Sequence, residues 1–291
     1  MGYSSWSDEA FRSVSSARAG ASSAEIFRRE RSIDPRMDPR GLTFREARDS
    51  EHHPRSLPII VGFDVTASMG DIPTRFATEL LGALMRRLVE HRWATDPQVL
   101  IAAVGDAVCD RAPLQVGQFE SGLEMDMWLT RIWLEGGGGD APESYTLVHW
   151  LAAHHTTTDA WEKRQKKGYL FTIGDAEHKP LRPSHVARVF GGGGAVPPSS
   201  AELIAATGER WEVFHILAAR GKVPSPPVLA DWRSLVGKRL LILDETEAVC
   251  ELIGATIALG EGVIDREEAQ ELLVRAGMNP EPASEATAWA A

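Results

Sequence analysis

The sequence predicts an α/β protein with a doubly wound, mostly parallel central sheet, one antiparallel edge strand and an N-terminal extension. Three observations carry this. The runs LPIIVGF (57–63), QVLIAAV (98–104) and GYLFTI (168–173) are apolar almost throughout, as strands buried on both faces are. Segments between them space their apolar residues as the buried face of a helix does. Strands separated by helices need crossover connections, which make neighbouring strands parallel.

Taken in order, Leu57–Phe63 is the first buried strand, and Gly70 and Pro73 introduce a long helix. Within Thr74–Arg92, residues Phe76, Leu80, Leu81, Leu84, Met85 and Leu88 form one face. Gln98–Val104 is the second strand. Leu114–Phe119 alternates apolar and polar residues, as a half-exposed edge strand does. Glu124–Leu134 is a helix broken by Gly136–Gly139, and Pro142–His155 a helix with Pro142 in its first turn. Gly168–Ile173 is a strand, Val186–Phe190 and Ser200–Thr207 are short helices, and a second glycine run, Gly191–Gly194, separates them. Trp211–Ala218 is a strand, Pro227–Val236 a helix and Lys238–Leu243 the last strand. Glu245–Leu259 and Arg266–Ala276 are helices, and the Ala/Glu/Pro-rich tail from Asn279 reads as frayed. The chain thus divides into an arm (1–56), an α/β body (57–262) and a C-terminal helix with its tail (263–291).

The arm holds 10 Arg and 9 Asp/Glu with no Lys, and its RSIDPRMDPR segment cannot run on as helix through Pro35 and Pro39. An extended arm that wraps the core or docks a neighbour, giving self-association, and a disordered arm are both open. A net charge of −10 excludes nucleic acid and anionic membranes as default partners. No apolar run approaches the ~20 residues of a bilayer span. The start, MGYSSWSDEAFRS, carries acids where a secretory leader needs a basic end. Cys109 and Cys250 are two thiols without a disulfide framework, so a reducing, cytoplasmic home is expected.

The first strand ends at Asp64, and Asp64, Thr66 and Ser68 put hard oxygen donors at alternate positions where strand gives way to helix. Such donors suit a cation like Mg²⁺; the same residue types also serve as helix N-caps. Asp175 follows the GYLFTI strand, and Asp140 lies in the loop GGGGDAPES. If that strand lies beside the first, all three carboxylates face the switch point of the sheet. Glycines 136–139 allow close backbone approach and positive φ, but neither phosphate-loop pattern, GxGxxG nor GxxxxGK[ST], is present. Near these, Asp71 and Glu143 either orient waters around an ion or complement a helix dipole. His178 reads as a loop residue that faces solvent or a partner. His149, His154 and His155 point in different directions and are assigned to surface and flank. Trp128 and Trp133 belong to core packing or to a partner surface.

DVTASMG resembles the DxSxS signature of von Willebrand factor A (vWA) domains in its DxTxS form. GGGGDAPES and FTIGDAEH resemble that family's second and third metal-site loops, in family order, across roughly Leu57 to Leu259. The resemblance implies a Rossmann-like vWA fold of bacterial intracellular type with a metal-ion-dependent adhesion site. Its metal ligands would be Asp64, Thr66, Ser68, Asp140 and Asp175, holding Mg²⁺ (or Mn²⁺ or Ca²⁺). Asp140 stands where many relatives carry threonine. A third carboxylate implies firmer metal retention and weaker attraction for an incoming acidic side chain.

The leading expectation is therefore a non-enzymatic, metal-holding module that recognises a protein partner as an adaptor or scaffold subunit. A Mg²⁺-dependent hydrolase is the alternative, although no nucleophile or cationic clamp stands in the motif loops. A structural assembly subunit, with the metal merely fastening loops, is the third.

Overall fold

The computed structural model describes residues 4–137, 142–192 and 195–290. Among these, the strands are β1 (Arg45–Ala47), β2 (Leu57–Asp64), β3 (Pro97–Val104), β4 (Leu114–Val116), β5 (Thr156–Thr158), β6 (Gly168–Gly174), β7 (Trp211–Ala218) and β8 (Leu240–Leu243). Six of them form one sheet in the order β4-β3-β2-β6-β7-β8. Only the β3–β4 pairing is antiparallel, so the fold is the doubly wound, mostly parallel arrangement, with an antiparallel edge.

The period of two along β2 explains the layers. Ile59, Val61 and Phe63 face one core, shared with Leu81, Leu84, Met85 and Leu88 and with the Val249–Gly260 helix. Ile60 faces the other, with Leu147, Val148 and Leu151 of the Thr146–His154 helix and with Val186 and Leu203. The long helix after β2 runs as Ile72–Arg75, a π-turn at Phe76–Leu80, then Leu81–Val89.

The sheet reverses its winding direction at β2. The chain moves outward through β3 to β4, then returns to lay β6 on the opposite side of β2, with Phe63 paired to Ile173. Asp64 and the Gly174-Asp175 step therefore leave the sheet side by side, in the crevice where ligands of open α/β sheets collect.

Residues 4–56 wrap this body. Phe11 is buried where Gly82 leaves room for it. Val116 of edge strand β4 donates its N–H to the Met37 carbonyl (2.8 Å), so the arm covers part of the sheet edge. The arm's charges pair within the chain, including a two-point contact of Arg18 with Asp126 (2.5 and 2.6 Å) and Arg86 with Asp8 (3.0 Å). Arg45–Ala47 pairs in parallel with Thr156–Thr158 as a separate two-stranded sheet that the sequence pattern had not predicted.

The tail corrects one expectation. Pro280–Ala286 is a helix with Ala283 and Ala286 buried, and Trp289 packs edge-on against Phe214 (4.9 Å, 73°). Pro280 at the helix start is compatible with that conformation, and the small alanines let the helix lie close on β8.

Candidate metal site at the switch point

Asp64 is fully buried at the end of β2. Its Oδ1 accepts the Thr66 N–H (2.7 Å), a tight local turn that sets the direction of the chain leaving the strand. Its Oδ2 accepts the hydroxyl of Tyr145 (2.9 Å), also fully buried, at the start of the Thr146–His154 helix. Ala67–Met69 forms a single 3₁₀ turn that brings Ser68 back over Thr66, with the two hydroxyl oxygens 3.0 Å apart. Ser68 then donates to Asp175 Oδ1 (2.8 Å), across 107 positions of sequence. Thr66, Ser68 and Asp175 are thus one connected group beside Asp64.

The first glycine loop is drawn onto this group. Gly136 pairs with Thr66, and its carbonyl accepts the Ala67 N–H (3.0 Å). Gly136 and Gly137 have φ of 89° and 70°, and a β-carbon on Gly137 would lie 2.9 Å from the Thr66 side chain. Both demands require glycine. The predicted ligand Asp140 lies outside the described residues. Among the described residues, no three His, Cys, Asp or Glu side chains gather as a metal cluster, so the donors present are hydroxyls with two carboxylates. An all-oxygen set of this kind fits a hard divalent cation and gives a soft one no thiolate or imidazole.

Electrostatics divide the acids here. Burial pushes Asp64 up to about 6, against the hydrogen bonds from Thr66 and Tyr145 that favour its carboxylate, and the charge of Asp175 adds to the rise. Burial, reinforced by Asp64, Asp110 and Asp106, pushes Glu143 up to about 9, so it is a neutral acid at pH 7. Its Oε2 is buried without a hydrogen-bond partner among the described residues. Tyr145 is raised well above its ordinary value by burial and by Asp64, so it remains a proton donor to that carboxylate.

The other sequence candidates sort as follows. Asp71 is exposed. Glu143 precedes its helix and joins the loop after β6, its N–H donating to Glu177 O (3.0 Å) and its carbonyl accepting from Lys179 N (2.8 Å). His178 is not a free loop residue, since its Nδ1 and backbone N–H both contact the Asp231 carboxylate at 2.8 Å. His149 is a correction, being fully buried rather than at the surface. Its helix lies between the sheet and the Ser200–Thr207 helix and is apolar around much of its girth, so a surface face was the wrong expectation. Burial pushes His149 down to about 3 and His215 well below its ordinary value, so both are neutral. Trp133 is buried, with Arg111 over its ring (5.2 Å).

Two residues of this region were missed. Tyr145 lies 81 positions from the carboxylate it holds, and nothing in its local pattern marks it. Arg220 follows β7 and donates to Asp175 Oδ2 (3.1 Å). Its place just past a parallel strand's carboxyl end was the available signal.

No family model matches the chain, and no curated protein sequence matches it. Among solved structures it is similar to proximal thread matrix protein 1 from the mussel byssus, at 10% identity over 75% of this chain and 49% of that one, with a TM-score of 0.46. A structure of the same protein with a zinc-occupied MIDAS motif gives 12% identity over 74% and 49%, with a TM-score of 0.44. The pilus adhesin SpaC from Lactobacillus rhamnosus GG, in its open conformation, gives 7% identity over 79% and 31%, with a TM-score of 0.46. The chain spans about half or less of the length of these proteins.

Proposed function

We propose that the chain is a vWA-type binding module that holds a divalent cation at the switch point and recognises a protein partner there. The observation that carries this reading is the linked group Thr66, Ser68 and Asp175 beside buried Asp64, at the carboxyl ends of β2 and β6. A local turn would explain Asp64, which accepts the Thr66 N–H, but the Thr66 side chain caps nothing. Nor would such a turn explain why a hydroxyl after β2 meets a carboxylate on the loop after β6.

In this reading Asp64, Thr66, Ser68 and Asp175 hold the ion, with Asp140 as a further ligand, and Mg²⁺ is the physiological choice. When bound, the ion would supply a Lewis-acidic position open to a partner's oxygen. Tyr145 fixes the orientation of Asp64, and the turn at Thr66 presents both hydroxyls on one side. The role is binding, as an adaptor or scaffold, rather than turnover. The support is the chemistry of the described donors, two hydroxyls and two carboxylates that together present oxygen ligands on one side.

Titration calorimetry with Mg²⁺ on chelator-stripped protein tests this. At pH 7.5 the wild type should take up the ion, and Asp64→Ala should give only dilution heat. Because Asp64 binds a proton near pH 6, protons compete with the ion below that pH. Affinity should therefore fall as pH drops below 6, by up to about tenfold per unit. Equal heats from both proteins would remove the site from the account.

A further inference from the structure

The loop after β7 brings to this edge a cation for which the donor set has no need. Arg220 has φ of 52°, in the left-handed region that disfavours any residue with a β-carbon, and Gly221 follows at 69°. The backbone is pinned in that shape. Ala219 N–H donates to Leu243 O (2.8 Å), Gly221 N–H to Asp244 O (2.7 Å) and Lys222 N–H to Ala219 O (3.1 Å). The Asp244 carboxylate in turn accepts from the backbone N–H and the side-chain amide of Asn279 (2.8 and 2.6 Å).

From this turn the guanidinium crosses toward the end of β6. Nη2 donates to Asp175 Oδ2 at 3.1 Å, while Nη1 lies 3.2 Å from where a β-carbon on Gly70 would stand. Asp175 thus holds Ser68 on one oxygen and Arg220 on the other. The Arg220 side chain is 27% exposed, so solvent only partly screens its charge. The turn is held by its own backbone bonds, and at its left-handed position it carries an arginine whose charge lies on a candidate ligand.

We propose that Arg220 is a resident counter-cation that competes with the divalent ion for Asp175 and thereby sets the metal concentration at which the site fills. This rests on the reading that Asp64, Thr66, Ser68 and Asp175 hold an ion. Arg220 acts in two ways, by a directional bond to an oxygen the ion would use and by placing a positive charge beside a dipositive one. The structural alternative, in which Arg220 merely steadies Asp175, predicts the opposite sign on removal.

The test is Mn²⁺ binding to the chelator-stripped full chain, followed by the electron paramagnetic resonance signal of free Mn²⁺. Wild type, Arg220→Gln, Arg220→Gly and Asp64→Asn are compared, with folding checked by circular dichroism. Arg220→Gly guards against a folding defect, because glycine accepts the left-handed conformation freely. Both Arg220 variants should bind Mn²⁺ about tenfold or more tightly than wild type. Unchanged or weaker binding in folded variants, with wild type binding and Asp64→Asn not, overturns the competition while leaving the metal site standing. No Mn²⁺ uptake by wild type or either Arg220 variant overturns both.

Discussion

Trp232→Ala should destabilise the fold by about 3–5 kcal/mol, the range for emptying a buried indole site. Trp232 is fully buried and stacks on the His215 ring, with centroids 3.4 Å apart and planes at 6°. It also meets Tyr145 edge-on (5.5 Å, 67°). Its Nε1 donates to the carbonyl of Ala176 (2.9 Å), the residue after Asp175, so the indole fastens the loop that carries a candidate ligand. Trp232→Phe keeps most of the packing and should cost about 1 kcal/mol for the lost hydrogen bond. Urea unfolding should show a large fall in midpoint for alanine and a small one for phenylalanine. Mg²⁺ affinity should fall in both, because both release the Ala176 carbonyl. An alanine variant with an unchanged midpoint would mean the indole is not packed as described.

Gly174→Ala is the second large effect. A β-carbon there would stand 1.9 Å from Tyr145 Oη and 2.4 Å from its Cε1. The ring cannot swing aside, because His215 and Trp232 both meet it edge-on. Either the end of β6 moves or Tyr145 leaves Asp64. Overpacking costs about 1–3 kcal/mol, and a buried carboxylate oxygen stripped of its donor about 1–3 more. The expected loss is therefore about 2–6 kcal/mol by chemical denaturation, with metal affinity reduced as well. Tyr145→Phe isolates the hydrogen bond and should cost about 1–3 kcal/mol. Adding it to Gly174→Ala should not rescue stability, since the ring carbons still clash. Wild-type stability in Gly174→Ala would show that the tyrosine does not lie against β6.

How much of this was legible in the sequence depended on how local the cause was. The long parallel strands could be read because burial on both faces leaves apolar runs such as IIV and LF, with Asp64, Asp175 and Asp244 just at or past three of their ends. β4, expected half-exposed, is buried throughout because Gln115 bonds the Trp133 backbone and the arm covers that edge. That Asp64, Thr66, Ser68 and Asp175 come together could be read as well, since they sit at or just past the ends of β2 and β6, whose neighbouring places in the sheet follow from alternating elements. β1 and β5 could not. Arg45–Ala47 and Thr156–Thr158 have no apolar pattern, and they pair because the arm is laid there by contacts far along the chain. The Pro280–Ala286 helix was hidden by composition, for alanine and glutamate suit a frayed tail as well as a helix that needs only small side chains to pack. His149 was misplaced because its helix is covered on two sides, which residue spacing alone does not reveal. Tyr145 and Arg220 act through tertiary contacts 81 and 45 positions away; no local pattern records the first, and only its place just past β7 marks the second.

The most direct measurement is a crystal of the full chain grown with Mn²⁺ and recorded at an energy where manganese scatters anomalously. An anomalous peak should appear against the Thr66 and Ser68 hydroxyls, with the carboxylates of Asp64 and Asp175 reaching it directly or through one water. A saturating Mn²⁺ concentration that leaves this pocket without a peak, while Ser68 still donates to Asp175, would contradict the account.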